Sequence, residues 1–526
     1  VWDEHAEKKK MIGPHTLMNL GYSAGVNKGD FGESAGWEVY TEEMLEYCVQ
    51  DVRVNVAVFH MLVRELGGTT DYAINLEMDV AAYLAEQQTN GWVFDIEKAM
   101  GLYADLDVKL SQLEDEVHKT FKPLAKHERD IQPRALKNGG LSSVGLKFLE
   151  DVESLIPVPS YEDVPGYSRV YSSGEFSRIS WPEFNLGSRQ QIAGQFIHRG
   201  WKPTEMTDNG NIIINEPVLE AARTKFKEAS LIADYFMISK RMSMVDNWVK
   251  AFNEDTGRLH GYVNTLGAVT RRMTHSGPNL AQVPATKCGK DGEILWGFEG
   301  SYGADCRALF TVPDGYVQVG CDASGLELRC LAHYMNDQTY TDLILHGDIH
   351  TYNQNAAGLP SRNDAKTFIY AFLYGAGDAK IGSIVGAGAG KGKSLKAAFL
   401  KNTPALKNLR DNVSQAAERG WLKTIDGGRV RVRHAHAALN SLLQSCGAIV
   451  MKVWLRLVMQ RATQEDIDFK TNGNIHDEGQ FEVLAKDVEA FNEICLQAMI
   501  DAGEELNFRC PLAGDVKAGS NWALTH

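Results

Sequence analysis

The sequence predicts an α/β fold of the mixed α+β kind, and three stretches carry that prediction. From 316 to 334 a strand runs into a helix: Tyr316, Gln318 and Gly320 alternate with Val317, Val319 and Cys321 up to Asp322, and Leu326, Leu328, Leu331 and Ala332 then recur at helical spacing. From 469 to 483 two strand-like runs, Phe469 to Ile475 and Gln480 to Val483, meet at a corner holding Asp477 and Glu478. From 72 to 121 the period is helical, with Ala81, Ala82, Leu84 and Ala85 ahead of Asn90-Gly91 and apolar residues three and four apart from Ile96 to Phe121. Two long antiparallel helices are expected there.

The remaining elements follow in chain order. Residues 1 to 71 start at Val1 and read as the middle of a domain; Tyr47 and Asp51 stand four apart in them, where a solvated helix carboxylate is the plain reading. Between 123 and 183 the helical pattern fails at Gly139-Gly140, Ser142-Ser143, Pro157, Pro159, Pro165-Gly166 and Ser172-Ser173-Gly174. Loops this long in a compact domain are functional or disordered. Pro360 and Ser361 open a helix that places Arg362, Lys366 and Tyr370 on one face, continued by Tyr374. The run Ala387 to Ser394 misses the phosphate-binding G-x-x-x-x-G-K-[ST] loop only at its first glycine, but no strand precedes it, since 374 to 385 reads as helix and glycine turn. Lys423, Arg429, Arg431, Arg433, His434 and His436 surround a hairpin turn at Asp426-Gly427-Gly428, a basic patch suited to a nucleic-acid backbone or simply to solvent. Asn440 to Lys452 reads as an amphipathic helix.

Composition bounds the function. With 526 residues, 44% hydrophobic and 23% charged, the chain can build several sizeable cores. No apolar run is read as a membrane span and no signal peptide opens the chain, so a cytosolic protein without membrane association is expected. Eight cysteines without a CxxC pair argue for reduced thiols over structural zinc. At a net charge of −14, any nucleic-acid enzyme must concentrate its basic residues locally.

The acids suggest the chemistry. Asp322 at a strand-to-helix junction could be a helix cap. The second acidic corner at Asp477 and Glu478 suggests instead a shared metal site, because carboxylates with phosphate oxygens are what Mg²⁺ takes, and two such ions about 3.5–4 Å apart serve phosphoryl transfer. Arg362, Lys366 and the tyrosines between the two acids suit a triphosphate and a base, or else a solvated face with core tyrosines.

These stretches together resemble motifs A, B and C of the DNA polymerase I family, called family A: Asp322-Ala323-Ser324-Gly325-Leu326-Glu327-Leu328-Arg329, the Arg362 to Gly375 helix, and His476-Asp477-Glu478. The first stretch and Phe372-Leu373-Tyr374-Gly375-Ala376-Gly377 are similar to the replicative polymerases of T-seven-like bacteriophages, and the likeness runs to Asn521-Trp522-Ala523 and His526. The resemblance implies a right-hand polymerase of palm, fingers and thumb: 1–71 a remnant of a 3′ to 5′ exonuclease-like domain, 72–256 the thumb with an insertion at about 123–183, 257–334 and 441–526 the two parts of the palm, and 335–440 the fingers.

It further implies two Mg²⁺ ions on Asp322, Asp477 and the carbonyl of Ala323, with Glu478 in support. Triphosphate contacts fall to His350, Arg362 and Lys366, and the sugar to Tyr370 and Glu327, with Tyr374 nearby. DNA contacts fall to Arg272, Gln444 and His476, and to the Arg429, Arg431 and Arg433 hairpin. In the family's usual Thr-Gly-Arg the glycine is here Arg271, which puts the turn in doubt and adds a candidate phosphate contact. Tyr47 and Asp51 resemble the third exonuclease motif, but the other acids it needs lie N-terminal to anything present, so no proofreading is expected from this chain. Partners implied are primer-template DNA, dNTPs, host thioredoxin or another processivity factor at the insertion, and a replicative helicase-primase, all in the cytoplasm of a bacterial host. The insertion is not recognisably that of the phage group, and a lineage-specific loop remains the alternative. Rival functions are a non-catalytic DNA-binding replication subunit and a P-loop nucleoside triphosphatase.

Overall fold

The computed structural model describes residues 16–29, 31, 38–131, 136–138, 140, 142–143, 176–203, 206–207, 209–223 and 226–525. A four-stranded antiparallel sheet takes the order Phe469–Ile475, Glu478–Leu484, Tyr316–Ala323, Gly514–Gly519. The strand and the hairpin expected from sequence are thus neighbours, and the register sets Asp322 opposite Glu478 on one side and Asp515 on the other. The turn itself is His476 and Asp477; Glu478 is already the first residue of the returning strand, not part of the turn as expected. The Asp322 strand passes into the helix Leu326–Met335, whose cap position is Gly325 at φ 60° without a side-chain cap bond, so the helix-cap reading of Asp322 does not hold.

Against this sheet pack the helices Ala438–Gln464 and Val488–Glu505. Trp454 donates its indole N–H to the carbonyl of Cys495 at 2.9 Å, and its ring lies 2.4 Å from where a Cβ on Gly479 would stand, so only glycine fits beside Glu478. The Ala438–Gln464 helix is not amphipathic as expected but buried on nearly all sides. It also corrects the reading that no apolar run approaches a membrane span: a stretch within 435–464 is long and apolar enough to cross one by composition, but it is mostly buried inside the fold as its core helix.

A second sheet, in the order Phe310–Thr311, Trp92–Phe94, Arg258–Leu259, Phe252–Asn253, anchors a long helix pair. The helix Ile96–Thr120 leaves this sheet and the helix Lys227–Ala251 returns to it, so the two run antiparallel. Their far ends share a core of Val117, Phe121, Ala229 and Ile232. Both helices expected between 72 and 121 exist, but they are not each other's partners. The first, Asp71–Asn90, instead buries Leu76, Val80 and Leu84 in the central core.

The helix Arg362–Leu373 is capped by Ser361, whose hydroxyl accepts from the Asp364 N–H at 3.1 Å. It buries Ala365, Phe368, Ile369 and Phe372, with Phe368 and Phe372 edge-on to Phe399 at 5.3 and 5.4 Å. Arg362, Lys366 and Tyr374 are therefore left on the exposed side. The glycine-rich run 387–394 follows a helix, Asp378–Ser383, and enters another, Ala389–Asn402. A Cβ on Gly392 would lie 1.9 Å from the Asp378 carbonyl, so this glycine serves helix packing and not a phosphate.

At the edge of the central core His333 stacks on Phe508 at 4.5 Å and accepts the Arg509 backbone N–H at 3.1 Å through Nδ1. Burial, then Arg509, lowers its pKa from 6.5 to about 4, so the unfolded chain binds the extra proton first. Stability contributed above pH 6.5 is lost as pH falls through about 4. Unfolding midpoints of His333→Gln measured between those values should fall less steeply with acid than those of the wild type.

Candidate active site

The sheet brings the two motif acids together. The N–H of Ala323 donates to the carbonyl of Asp477 at 2.9 Å, so the half-buried Asp322 and the exposed Asp477 leave neighbouring strand ends. His476, before Asp477, sits at φ 60°, a left-handed conformation that histidine tolerates better than most side chains. Burial, followed by the charge of Arg272, lowers the His476 pKa, while Asp477, Glu327 and Glu478 pull it the other way.

Glu478 faces into the protein. It accepts the indole N–H of Trp522 at 2.7 Å and the amide of Gln480 at 2.5 Å, and lies 3.8 Å from Arg307. Trp522 in turn stacks on Trp92 at 4.6 Å and under the Arg307 guanidinium at 4.4 Å, so the corner is braced from the second core. Sequence reading missed Arg307, Gln480 and Trp522 in this role. The one available signal was Trp522 in the terminal Asn521-Trp522-Ala523.

Glu327 joins the acids to the Arg362 helix. One of its oxygens accepts the Tyr374 hydroxyl at 2.6 Å and an Arg272 N–H at 3.2 Å. The Tyr370 pKa is raised by burial first and then by the charges of Glu327 and Asp477. At the other end of the helix Arg362 pairs with Asp348 at 2.8 Å, an acid that sequence reading passed over between Gly347 and His350. The Arg362 bond, then Thr351, holds the Asp348 carboxyl well below the ordinary range. The His350 pKa is lowered by burial, then by the charges of Arg362 and Lys366, with Asp348 opposing.

The other candidate residues are placed as follows. Gln444 is half-buried on the Ala438–Gln464 helix. Arg431 and Arg433 are exposed on the hairpin Trp421–Lys423 and Arg429–Arg431, whereas Arg429 turns back to the carbonyl of Gly67 and the Trp421 ring, 4.3 Å away. Arg271 is not the exposed phosphate contact expected: it is buried, bonded to Glu77, Thr424 and Asp426. The turn in doubt nevertheless forms, with Arg271 itself at φ 63°. Tyr47 and Asp51 stand on the separate helix Glu42–Leu66, where Lys28 lies 3.1 Å from Asp51 and 5.0 Å from the Tyr47 ring centre. Most of the 123–183 insertion lies outside the described residues; its ends pair as the antiparallel strands Lys126–Ile131 and Phe176–Ser180.

Among the described residues no three His, Cys, Asp or Glu side chains gather as a complete metal cage. The donor set at Asp322, Ala323 and Asp477 is two carboxylates and a carbonyl on adjoining strand ends. That fits Mg²⁺, which is commonly held by one or two carboxylates with substrate phosphates completing its shell.

The family model described as DNA polymerase family A matches residues 172–524. The chain belongs to that family. It is 36% identical to the DNA-directed DNA polymerase of Escherichia phage T7 over 610 aligned positions, covering 98% of this chain and 83% of the relative, with the same figures for that of Enterobacteria phage T3. DNA polymerase I of Pseudomonas aeruginosa is 24% identical over 99% of this chain and 57% of its own. Among solved structures, the POL domain of Pol1 from M. smegmatis, in complex with a DNA primer-template and dNTP, superposes with a TM-score of 0.71 over 97% of this chain and 80% of that one, at 18% identity. The fold is the right-hand polymerase fold of palm, fingers and thumb.

Proposed function

We propose that this chain extends a DNA primer from dNTPs by phosphoryl transfer at Asp322 and Asp477, in phage DNA replication in the host cytoplasm. The observation that carries the reading is the junction of two strand-end carboxylates with the Arg362 helix through the Tyr374–Glu327 bond. In this reading 257–334 and 441–526 form the palm, 335–440 the fingers and 72–256 the thumb, behind an exonuclease-like remnant at 1–71.

Each residue then has a task. Arg362 would exchange Asp348 for a phosphate oxygen, with Lys366 and His350 completing the hold on the triphosphate. Tyr370 stacks at the sugar, and Glu327 fills the space that a 2′ hydroxyl needs. Arg272, Gln444 and His476 reach the minor groove, where acceptors are common to all base pairs and report shape without sequence. Arg431 and Arg433 meet the backbone. Asp322, Asp477 and the Ala323 carbonyl would hold two Mg²⁺ ions, which when bound lower the pKa of the primer hydroxyl and offset the developing charge. Glu478, braced by Trp522 and Gln480, keeps the Asp477 corner in place. Closure of the Arg362 helix on a correct pair would couple selection to chemistry.

Proofreading is not expected in this reading, because it needs further acids besides Asp51 to hold its metals; Asp51 itself pairs with Lys28. Thioredoxin or another processivity factor at 123–183, and a helicase-primase, rest on the family resemblance. Glu327→Ala should raise ribonucleotide incorporation relative to deoxynucleotide by about tenfold or more, read from single-nucleotide extension with paired dNTP and rNTP. An unchanged sugar preference would remove Glu327 from that role.

A further inference from the structure

Arg271 stands at φ 63°, a conformation that favours glycine, in a turn closed by its own N–H to the Ala268 carbonyl at 2.9 Å and by the Ala268 N–H to the Arg272 carbonyl at 3.2 Å. Its side chain turns inward. Nε and one terminal nitrogen reach Glu77 Oε1 at 3.2 and 2.6 Å; the other terminal nitrogen reaches Thr424 Oγ1 at 3.1 Å and Asp426 Oδ1 at 3.0 Å. A Cβ on Gly428 would lie 2.6 Å from that last nitrogen, so the hairpin glycine leaves room for the guanidinium.

The same cluster holds the other end of the loop. Lys452, 1% exposed, donates to both Glu77 oxygens at 2.8 and 2.6 Å and to the Thr265 carbonyl at 3.0 Å. Burial raises the Asp426 pKa, but the bonds from Arg271, Thr424 and the Gly428 N–H outweigh it and leave the carboxyl below its ordinary value. Two cations and two anions from four chain segments thus close a neutral, buried cluster that grips 265 and 271. The next residue, Arg272, donates to Glu327 at 3.2 Å. A buried ion cluster adds little stability over apolar packing of the same volume, and what it brings is directional geometry.

We propose that Arg271 is a positioning residue, which locks the 265–272 loop into the Glu77–Lys452–Asp426 cluster so that Arg272 is aimed at the primer-template duplex before DNA arrives. The inference rests on the polymerase reading above. A consequence is that the grip on DNA depends on the Asp71–Asn90 helix and on the hairpin turn, which supply Glu77 and Asp426 to Arg271.

The test is a double-mutant cycle on the full chain, with primer-template affinity read by fluorescence anisotropy and kcat by single-nucleotide extension at saturating DNA. Arg271→Met should weaken affinity about tenfold while kcat changes by less than about twofold, and Arg271→Lys, which keeps the charge but not the fork, should recover only part of the loss. Arg271→Met combined with Arg272→Ala should bind no worse than Arg272→Ala alone, because the first residue acts through the second. Should Arg271→Met fail to fold, Asp426→Asn is expected to give a smaller loss that also disappears in the Arg272→Ala background. Multiplying losses in either cycle, or a lower melting temperature with unchanged affinity, would overturn the inference. A wild-type chain that binds and extends while Arg271→Met matches it overturns this inference alone; a wild type that neither binds nor extends overturns the polymerase reading as well.

Discussion

Asp322→Ala or Asp477→Ala is expected to cut primer extension about a thousandfold or more, while primer-template affinity changes less than about threefold. The two carboxylates end adjacent strands joined by the Ala323–Asp477 backbone bond, and neither is among the basic side chains proposed to meet DNA. Removing either takes away half of a two-carboxylate cation site. Extension assays beside anisotropy separate the two quantities. Comparable residual synthesis in either variant would sink the metal assignment, and equal loss of binding would point to collapse of the corner.

The second large effect is on stability. Glu77→Ala should lower the guanidinium midpoint by an amount equivalent to about 3–5 kcal/mol, because it strands Lys452 and part of Arg271 in a buried site. Burial already lowers the Lys452 pKa, and Glu77 is the main group opposing that shift. Arg271 would keep Asp426, but Lys452 would be left with the Thr265 carbonyl. Replacing both partners, Glu77→Met with Lys452→Met, should recover more than half of the loss. A single variant as stable as the wild type would show that water reaches Lys452 and that the cluster is not sealed.

Much of this arrangement was legible in local sequence. The Asp322 strand, the 469–484 hairpin, the Ser361-capped Arg362 helix and the 421–431 hairpin each carry their own period, cap or turn. What was not legible is non-local. Nothing in the helical period of 71–90 says that it joins the central core, nor that Ile96–Thr120 waits for Lys227–Ala251, over a hundred residues on. The Ala438–Gln464 helix has polar residues at spacings that mimic an amphipathic face, yet Ser441, Ser445 and Lys452 are buried by the elements packed around it. Arg271 was misread for the same reason: a basic residue beside a DNA-contact arginine looks like a second contact until Glu77 and Asp426 arrive from 194 and 155 residues away. The bracing of Glu478 by Trp522 likewise spans 44 residues and two cores.

The most direct measurement is extension of a labelled primer on long single-stranded DNA by the wild-type chain, with Mg²⁺ and four dNTPs, with and without thioredoxin. Template-directed products that vanish when Mg²⁺ is chelated are the predicted result. Products that lengthen with thioredoxin would add a partner for 123–183, and unchanged length would leave that insertion to another. A folded chain that binds primer-template but adds no nucleotide under any of these conditions would contradict the account and leave a DNA-binding subunit in its place.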